Sequence, residues 1–416
     1  MRVAVLGGGV VGVASAYYLA EDGHEVTVIE RRDQAASETS YGNAGLITPG
    51  DSYAWASPAA LVMFLRSLYR RDLGIKMRAH VDPALWSWSL KFLRQCTHAQ
   101  ARVNTLRKLR LALYARDCLT QIVARTGISF DMSDRGVVYF YRWQRTLDHG
   151  LAHMRLLAEH GLTIEAVDRD ALVRIEPALA PARDKLAGGI FSPMDRTGDS
   201  CHFGRKLAAW CVEHAGVRFL HSTSISGIET EGRTVRRAVT SKGPVEADAF
   251  VLAAGSESPR LAGRIGVRLP IYPVKGYSLT LPIRDLAAAP SMGGVDEDKL
   301  IAFSRLGDRL RLAATAEFAG YDSGHRPRDF QALLAVAREL FPEAGDYDRA
   351  ERWAGLRPMT PSSVPILGRA VYDNLFLNVG HGHVGWTLCC GSGRFVADLV
   401  AARKTAIDPE GLLYAA

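Results

Sequence analysis

The 416-residue chain has no run of about eighteen apolar residues, so no helix is expected to cross a membrane. Cysteine is scarce: the six residues (Cys96, Cys118, Cys201, Cys211, Cys389 and Cys390) form no C-x-x-C pair and no zinc-ligand spacing. Reduced thiols and a cytoplasmic location are therefore expected rather than a disulfide framework. The apolar Val3–Leu6 run is too short for a signal-peptide core, and no secretory leader is expected. No lysine-rich tail or aromatic-interleaved basic stripe is present, so nucleic acid is not an expected partner. The net charge of +7 is small for this length and mildly favours phosphate groups, a carboxylate or an acidic membrane surface. Internal repeats, low-complexity tracts and flexible linkers are absent. So are a Ser–His–Asp arrangement and paired carboxylates, and no metal site is expected.

What the chain does have is concentrated at its start. Arg2 to Leu6 reads as a short apolar strand, followed by Gly7-Gly8-Gly9-Val10-Val11-Gly12 and a helical stretch from Val13 to Glu21. A stop at Gly23 leads into a second strand, Glu25 to Ile29, which ends on Glu30. Strand, G-x-G-x-x-G, helix, strand and acid stand in the order a dinucleotide site requires. Gly7 permits the tight turn, Gly9 lets the backbone approach a pyrophosphate, and Gly12 lets helix and strand pack closely. The free N–H groups at the helix start, at Val10 and Val11, face the phosphates. Glu30 can accept from a ribose 2′-hydroxyl and would repel a 2′-phosphate.

The length exceeds what one core normally supports, so two domains are expected. After Glu30 comes a loop rich in small and polar residues, in which Arg31, Ser40, Gly42, Asn43, Ala44 and Gly45 are candidates to lie against a ligand; a plain surface loop is the other reading. Residues 58–126 read as helices with Trp86, Trp88, Phe92, Leu106, Leu109, Leu113 and Leu119 on apolar faces. Within them, residues 61–71 are short, apolar and basic, which suits either a helix packed on its own domain or one lying on an anionic membrane. The Val217–Leu220 strand should lie parallel beside the first two. The strand Ala249 to Leu252 runs into Ala253-Ala254-Gly255-Ser256, small enough for a backbone to pass close to a bound cofactor. Ile225, Ala254 and Gly255 are candidates there. Strands at Tyr277–Leu281, Leu300–Phe303 and Arg309–Leu312 indicate an antiparallel sheet. The chain then returns to the first domain through Trp353 to Pro358 and Leu375 to Val379. Residues 1–50, 197–265 and 350–416 are thus expected in one domain, and 51–196 and 266–349 in the other.

Gly380-His381-Gly382-His383-Val384-Gly385 repeats the glycine pattern between a strand and a helix, but no strand with a terminal acid follows. A second nucleotide site is not expected. A helix N-terminus still stabilises the anionic edge of a reduced flavin, which points toward FAD rather than NAD; a packing turn is the alternative. Gly380, His381, Gly382, Gly385, Trp386 and Thr387 are the candidates this adds.

The opening unit, the Val251–Ser256 strand, residues 272–280, 353–368 and 380–393 together resemble the FAD-dependent D-amino-acid dehydrogenases of the D-amino-acid oxidase/glycine oxidase superfamily. The resemblance runs through nearly the whole chain. It implies an α/β fold: a Rossmann-like FAD-binding domain interleaved with an α+β substrate domain built on a large mixed or antiparallel sheet. It implies oxidation of a D-amino acid at Cα by hydride transfer to flavin N5, giving an imino acid that hydrolyses to a 2-oxo acid and ammonia. Electrons would pass to a membrane quinone or another non-oxygen acceptor; a peripheral position on the inner membrane face is the expectation tied to residues 61–71. The alternative within the same chemistry is an enzyme of glycine, sarcosine, D-proline or hydroxy-D-proline. Residues 357–360 offer no cysteine for a flavin bond, so noncovalent FAD is expected, and Cys389 and Cys390 look like packing residues.

The same resemblance places Arg357 of G-L-R-P where related glycine oxidases bind the substrate carboxylate, a task that suits the planar guanidinium fork. An arginine bridging the two domains is the other reading. Tyr277, on a strand expected to cross the flavin face, offers a hydroxyl to substrate or is an ordinary sheet tyrosine. His381 hydrogen-bonds ring or substrate, or caps its helix. Tyr41 is the fourth candidate for the catalytic site.

Overall fold

The computed structural model describes residues 1–60, 62, 74–78 and 81–415. Apart from Val62, the 61–71 stretch weighed above for membrane contact lies outside the described residues. Two large sheets carry the architecture. The first has six strands in the order Ile366–Arg369, Leu375–Val379, Ala249–Leu252, Arg2–Leu6, Glu25–Ile29 and Arg218–Leu220. All neighbours run parallel except the first pair. The expected third parallel strand forms, with Arg218 opposite Thr27.

A parallel sheet must be covered on both faces. Val3, Val5, Val26 and Val28 pack on the helices Val10–Glu21, Ser200–Ala215 and Gly385–Val400. Ala4, Leu6, Ile29 and Phe250 face a three-stranded meander, Ile225–Glu231, Thr234–Thr240 and Gly243–Glu246. Burial on both sides is why Val3–Leu6 and Ala249–Leu252 are continuously apolar rather than alternating. The long helix His98–Thr126 lies behind Gly385–Val400, so close that a Cβ on Gly391 would come within 2.8 Å of Ala115.

Among the described residues the second sheet has nine strands. Eight follow the order Glu351–Met359, Tyr272–Pro282, Arg309–Phe318, Ile301–Leu306, Gly293–Asp296, Val137–Tyr141, Gly188–Ser192 and Glu165–Asp168, and Ile75–Met77 joins parallel to Arg309–Phe318. It is mixed, because Gly293–Asp296 also runs parallel to Val137–Tyr141. The helix Gln331–Leu340 seals one face through Leu333, Ala337 and Leu340 against Leu279, Phe303 and Leu312. The other face borders a cavity shared with the first sheet.

One expectation of strand membership is corrected. Trp353 to Pro358 does not return the chain to the six-stranded sheet; it is part of the edge strand Glu351–Met359 of the large one, with Arg357 opposite Val274. The ladder to Tyr272–Pro282 joins segments far apart in sequence, and no local pattern reports such a pairing. Trp86 is likewise corrected. On the helix Pro83–Gln95, Leu85 and Trp88 turn inward, whereas Trp86 and Leu90 lie on the outer surface and Leu93, half exposed, borders the cavity.

Candidate active site

The cavity between the two sheets has a volume of about 1210 Å³. At one end lies the first strand–helix turn. Gly7 sits at φ 118°, and a Cβ on Gly12 would fall 1.9 Å from the Gly7 carbonyl, so neither position accepts a side chain. Gly9 precedes the helix Val10–Glu21, which has no side-chain cap and no acid in its first turn. Its positive end is therefore left to the cavity, with the Val10 N–H donating to Ser40 Oγ at 3.3 Å. Glu30 is buried at the end of its strand and accepts from the Gly8 and Arg32 N–H groups, both at 2.8 Å. These two bonds hold the carboxylate in place and leave lone pairs for a further donor.

At the other end, small residues on the large sheet, among them Gly276, Ala302, Ala313 and Gly355, leave a flat wall, with the Trp353 indole lying over Gly355. Arg357 lies across it. Its guanidinium rests where a Cβ of Gly276 would stand, 2.5 Å from Cζ, and Nη1 donates to the Thr315 carbonyl at 2.6 Å. Burial lowers its pKa to about 10, against a rise from Asp51. Asp51 ends the helical turn Pro49–Asp51 and faces the cavity. Burial pushes its carboxyl up to about 6, opposed by Lys108 and Arg357. Lys108 is fully buried, donates to the Tyr53 carbonyl at 2.6 Å, and is driven down by burial to about 8. His383 Nε2 stands 3.6 Å from Asp51 Oδ2.

Residues 2–399 match the model of the family described as FAD dependent oxidoreductase, DAO. The chain belongs to this family. A D-amino acid dehydrogenase 2 from Mesorhizobium japonicum is 57% identical over 414 residues and covers 100% of both chains. A D-amino acid dehydrogenase from Paramagnetospirillum magneticum is 47% identical and covers 99% of this chain and 98% of its own. In fold, the molecule is similar to glycine oxidase from Geobacillus kaustophilus, with a TM-score of 0.75, 23% identity and coverage of 99% and 98%. It is similar also to L-proline dehydrogenase from P. horikoshii, at 0.76, 17%, and 97% and 94%.

The residues fit the FAD of a DAO oxidoreductase. The side-chain-free turn at Gly7–Gly9 and the uncapped helix end suit a pyrophosphate, and Glu30 a ribose. The second uncapped helix end, at Gly385, opens on the same cavity beside the flat wall. When bound there, FAD supplies the acceptor for two electrons.

Most of the cofactor residues expected from sequence border this one cavity: Gly7, Gly9, Val10, Val11, Glu30, Arg31, Ser40, Gly42, Asn43, Ala44, Ile225, Ala254, Gly255, His381, Gly382, Gly385, Trp386 and Thr387. Gly12, Gly45 and Gly380 do not. Gly12 lies under the helix, Gly45 turns its N–H onto Asn43 Oδ1 at 2.8 Å, and Gly380 packs on Thr360.

Of the four catalytic candidates, Arg357 alone presents its side-chain polar group to the cavity without another claim on most of it. The Tyr277 hydroxyl donates to Glu317, and its ring meets Phe330 edge-on at 5.3 Å. Strand alternation sends it to the helix-covered face, opposite Gly276. His381 is buried, its Nε2 hydrogen-bonded to Ser392 Oγ at 3.0 Å within the following helix, and burial lowers its pKa to about 3. Tyr41 lies outside the cavity, its hydroxyl donating to Glu351 at 2.7 Å.

Sequence reading missed Asp51, Lys108, His383 and Glu297. His383 stood inside the second glycine pattern and was the one available signal; a lysine within a helical stretch and single acids after turns carry none. Asp131, Asp199 and His202 bring ligand-type atoms within 4.8 Å of one another. The Arg309 guanidinium already spans both carboxylates, at 3.1 and 2.9 Å, so a cation stands in that cluster.

Proposed function

We propose that this chain oxidises D-amino acids at Cα to imino acids, which water converts to 2-oxo acids and ammonia, with noncovalent FAD as the immediate acceptor. The observation that carries this reading is the enclosed Arg357 guanidinium beside the flat wall. One N–H is satisfied by Thr315, and the rest of the fork has no protein partner among the described residues. A carboxylate placed there is held bidentately, which fixes Cα relative to the wall. The named activity of the full-length relatives supports the D-amino acid. No cysteine lines the cavity among the described residues, in keeping with noncovalent flavin. The test is anaerobic bleaching of the flavin by a panel of D- and L-amino acids, followed by air. Bleaching by D-amino acids with slow recolouring supports a dehydrogenase. Bleaching only by glycine, sarcosine or D-proline favours the second reading, which rests on the fold shared with glycine oxidase and L-proline dehydrogenase.

The electrons pass to a membrane quinone in this proposal, and the chain docks peripherally on the inner membrane face. Among the described residues no helix is long and apolar enough to cross a bilayer. The outer surface of Pro83–Gln95 supports surface docking: Trp86 and Leu90 are 66% and 54% exposed, while Trp88, Phe92 and the half-exposed Leu93 of the same helix border the cavity. Leu90→Asp should abolish co-sedimentation with anionic vesicles and leave reduction of a soluble dye unchanged. Equal vesicle binding by wild type and variant would remove this surface from the proposal.

A further inference from the structure

Oxidation of an amino acid at Cα needs the nitrogen lone pair, yet at neutral pH the substrate arrives as an ammonium. Some group must take that proton. Tyr277 and His381 are committed elsewhere, to Glu317 and Ser392. His383 is not. Its ring stacks on Trp55 at 4.8 Å and 25°, its side chain is 13% exposed, and it borders the cavity. Among the described residues neither ring nitrogen meets a partner at full hydrogen-bond geometry, and the Asp51 backbone and carboxylate stand close by. An unsatisfied buried polar group costs about 1–3 kcal/mol, and such groups persist where a ligand completes them.

Resting on the reading above that the site oxidises amino acids, we propose that His383, paired with Asp51, is the base that takes the proton from the substrate ammonium. One N–H bond of the substrate breaks and one forms on the imidazole. The electron pair stays on the substrate nitrogen, and one positive charge moves to the ring. The step moves a proton and no electrons. Asp51, 3.6 Å away, then faces an imidazolium, which is the stabilised form beside a carboxylate.

The surrounding charges make this basicity conditional on substrate. Burial holds His383 well below its ordinary pKa, and Lys108 and Arg357 add to that. A substrate carboxylate on Arg357 neutralises one of those two cations, so the ring becomes a better base once substrate is seated. Lys108 and Arg357 also help keep Asp51 ionised. Two further carboxyls face Asp51: burial pushes Glu297 up to about 8, so it adds little charge at neutrality, and Asp195 up to about 7, where the Tyr139 hydroxyl and the Gly50 N–H hold it at 2.6 and 3.1 Å.

The test is the rate of flavin reduction in the anaerobic holoenzyme, measured with D-alanine and D-proline from about pH 6 to about pH 10. His383→Asn should reduce this rate about 100-fold near neutrality, with little change in substrate affinity or flavin spectrum. The deficit should close as the pH approaches that at which the amine deprotonates by itself. Asp51→Asn, the second variant should His383→Asn fail to hold flavin, should show a smaller deficit of the same pH shape. Rates that follow wild type at every pH, or a deficit equal at every pH, overturn the proposal while the function reading stands. A wild-type flavin that no amino acid reduces overturns both.

Discussion

The carbonyl oxygen of Thr315 accepts a 2.6 Å hydrogen bond from Arg357 Nη1, and Thr315 itself sits at φ 69°. A left-handed β-branched residue is costly, about 1–2 kcal/mol. Here it belongs to a bulge: the register between Arg309–Phe318 and Tyr272–Pro282 slips by one residue between the Lys275/Glu317 and Tyr277/Ala314 pairs. A bulge leaves its extra residue outside the ladder, and the free carbonyl turns to the guanidinium. Backbone strain thus orients the arginine beside the flat wall.

Removing that arginine should act on substrate and not on cofactor. Arg357→Ala is expected to raise KM for a D-amino acid about 10- to 100-fold, the range set by about 1.5–3 kcal/mol for a charge-assisted bond. Arg357→Lys should recover little, since an ammonium lacks the fork. Steady-state kinetics and the flavin content of the purified variants check both.

Gly276→Ala provides a gentler version of the same experiment. The new Cβ would stand 2.5 Å from Arg357 Cζ, the far end of a flexible side chain, so the guanidinium moves and the sheet stays. The variant should fold and bind FAD normally and show a raised KM with its charge intact. A KM equal to wild type would mean that the guanidinium position does not set affinity.

Tyr277→Phe should separate stability from catalysis. Its hydroxyl meets Glu317, which keeps Arg78 at 2.6 Å and Lys275 at 3.8 Å as cationic neighbours. A thermal melt should show a loss of about 1 kcal/mol, the usual value of one hydrogen bond. kcat/KM should be unchanged.

Glu297 gives a stability prediction with a definite sign. Burial raises its folded pKa to about 8, above the unfolded carboxyl value of about 4.3. Between these values the folded chain holds a proton that the unfolded chain has released, so this group costs stability as pH rises through the window. Glu297→Gln removes the effect. Thermal melts should show the variant gaining on wild type toward about pH 8, with the difference vanishing near about pH 4.

The amino-acid sequence by itself determined the nucleotide end. Gly7, Gly9, Gly12 and Glu30 are a local code, because a turn, a helix start and a strand end are set by residues adjacent in the chain. The second glycine pattern was legible for the same reason, as were the strands flanking each turn. The substrate end was decided only by tertiary structure. Arg357, Thr315, Asp51, Lys108 and His383 come from five separate segments, and their meeting depends on strand register, a bulge and a helix crossing. Tyr277 shows the limit most plainly: its strand was anticipated, but which face it turns to the cavity is fixed by pairing to Glu351–Met359 and Arg309–Phe318, not by its own neighbours.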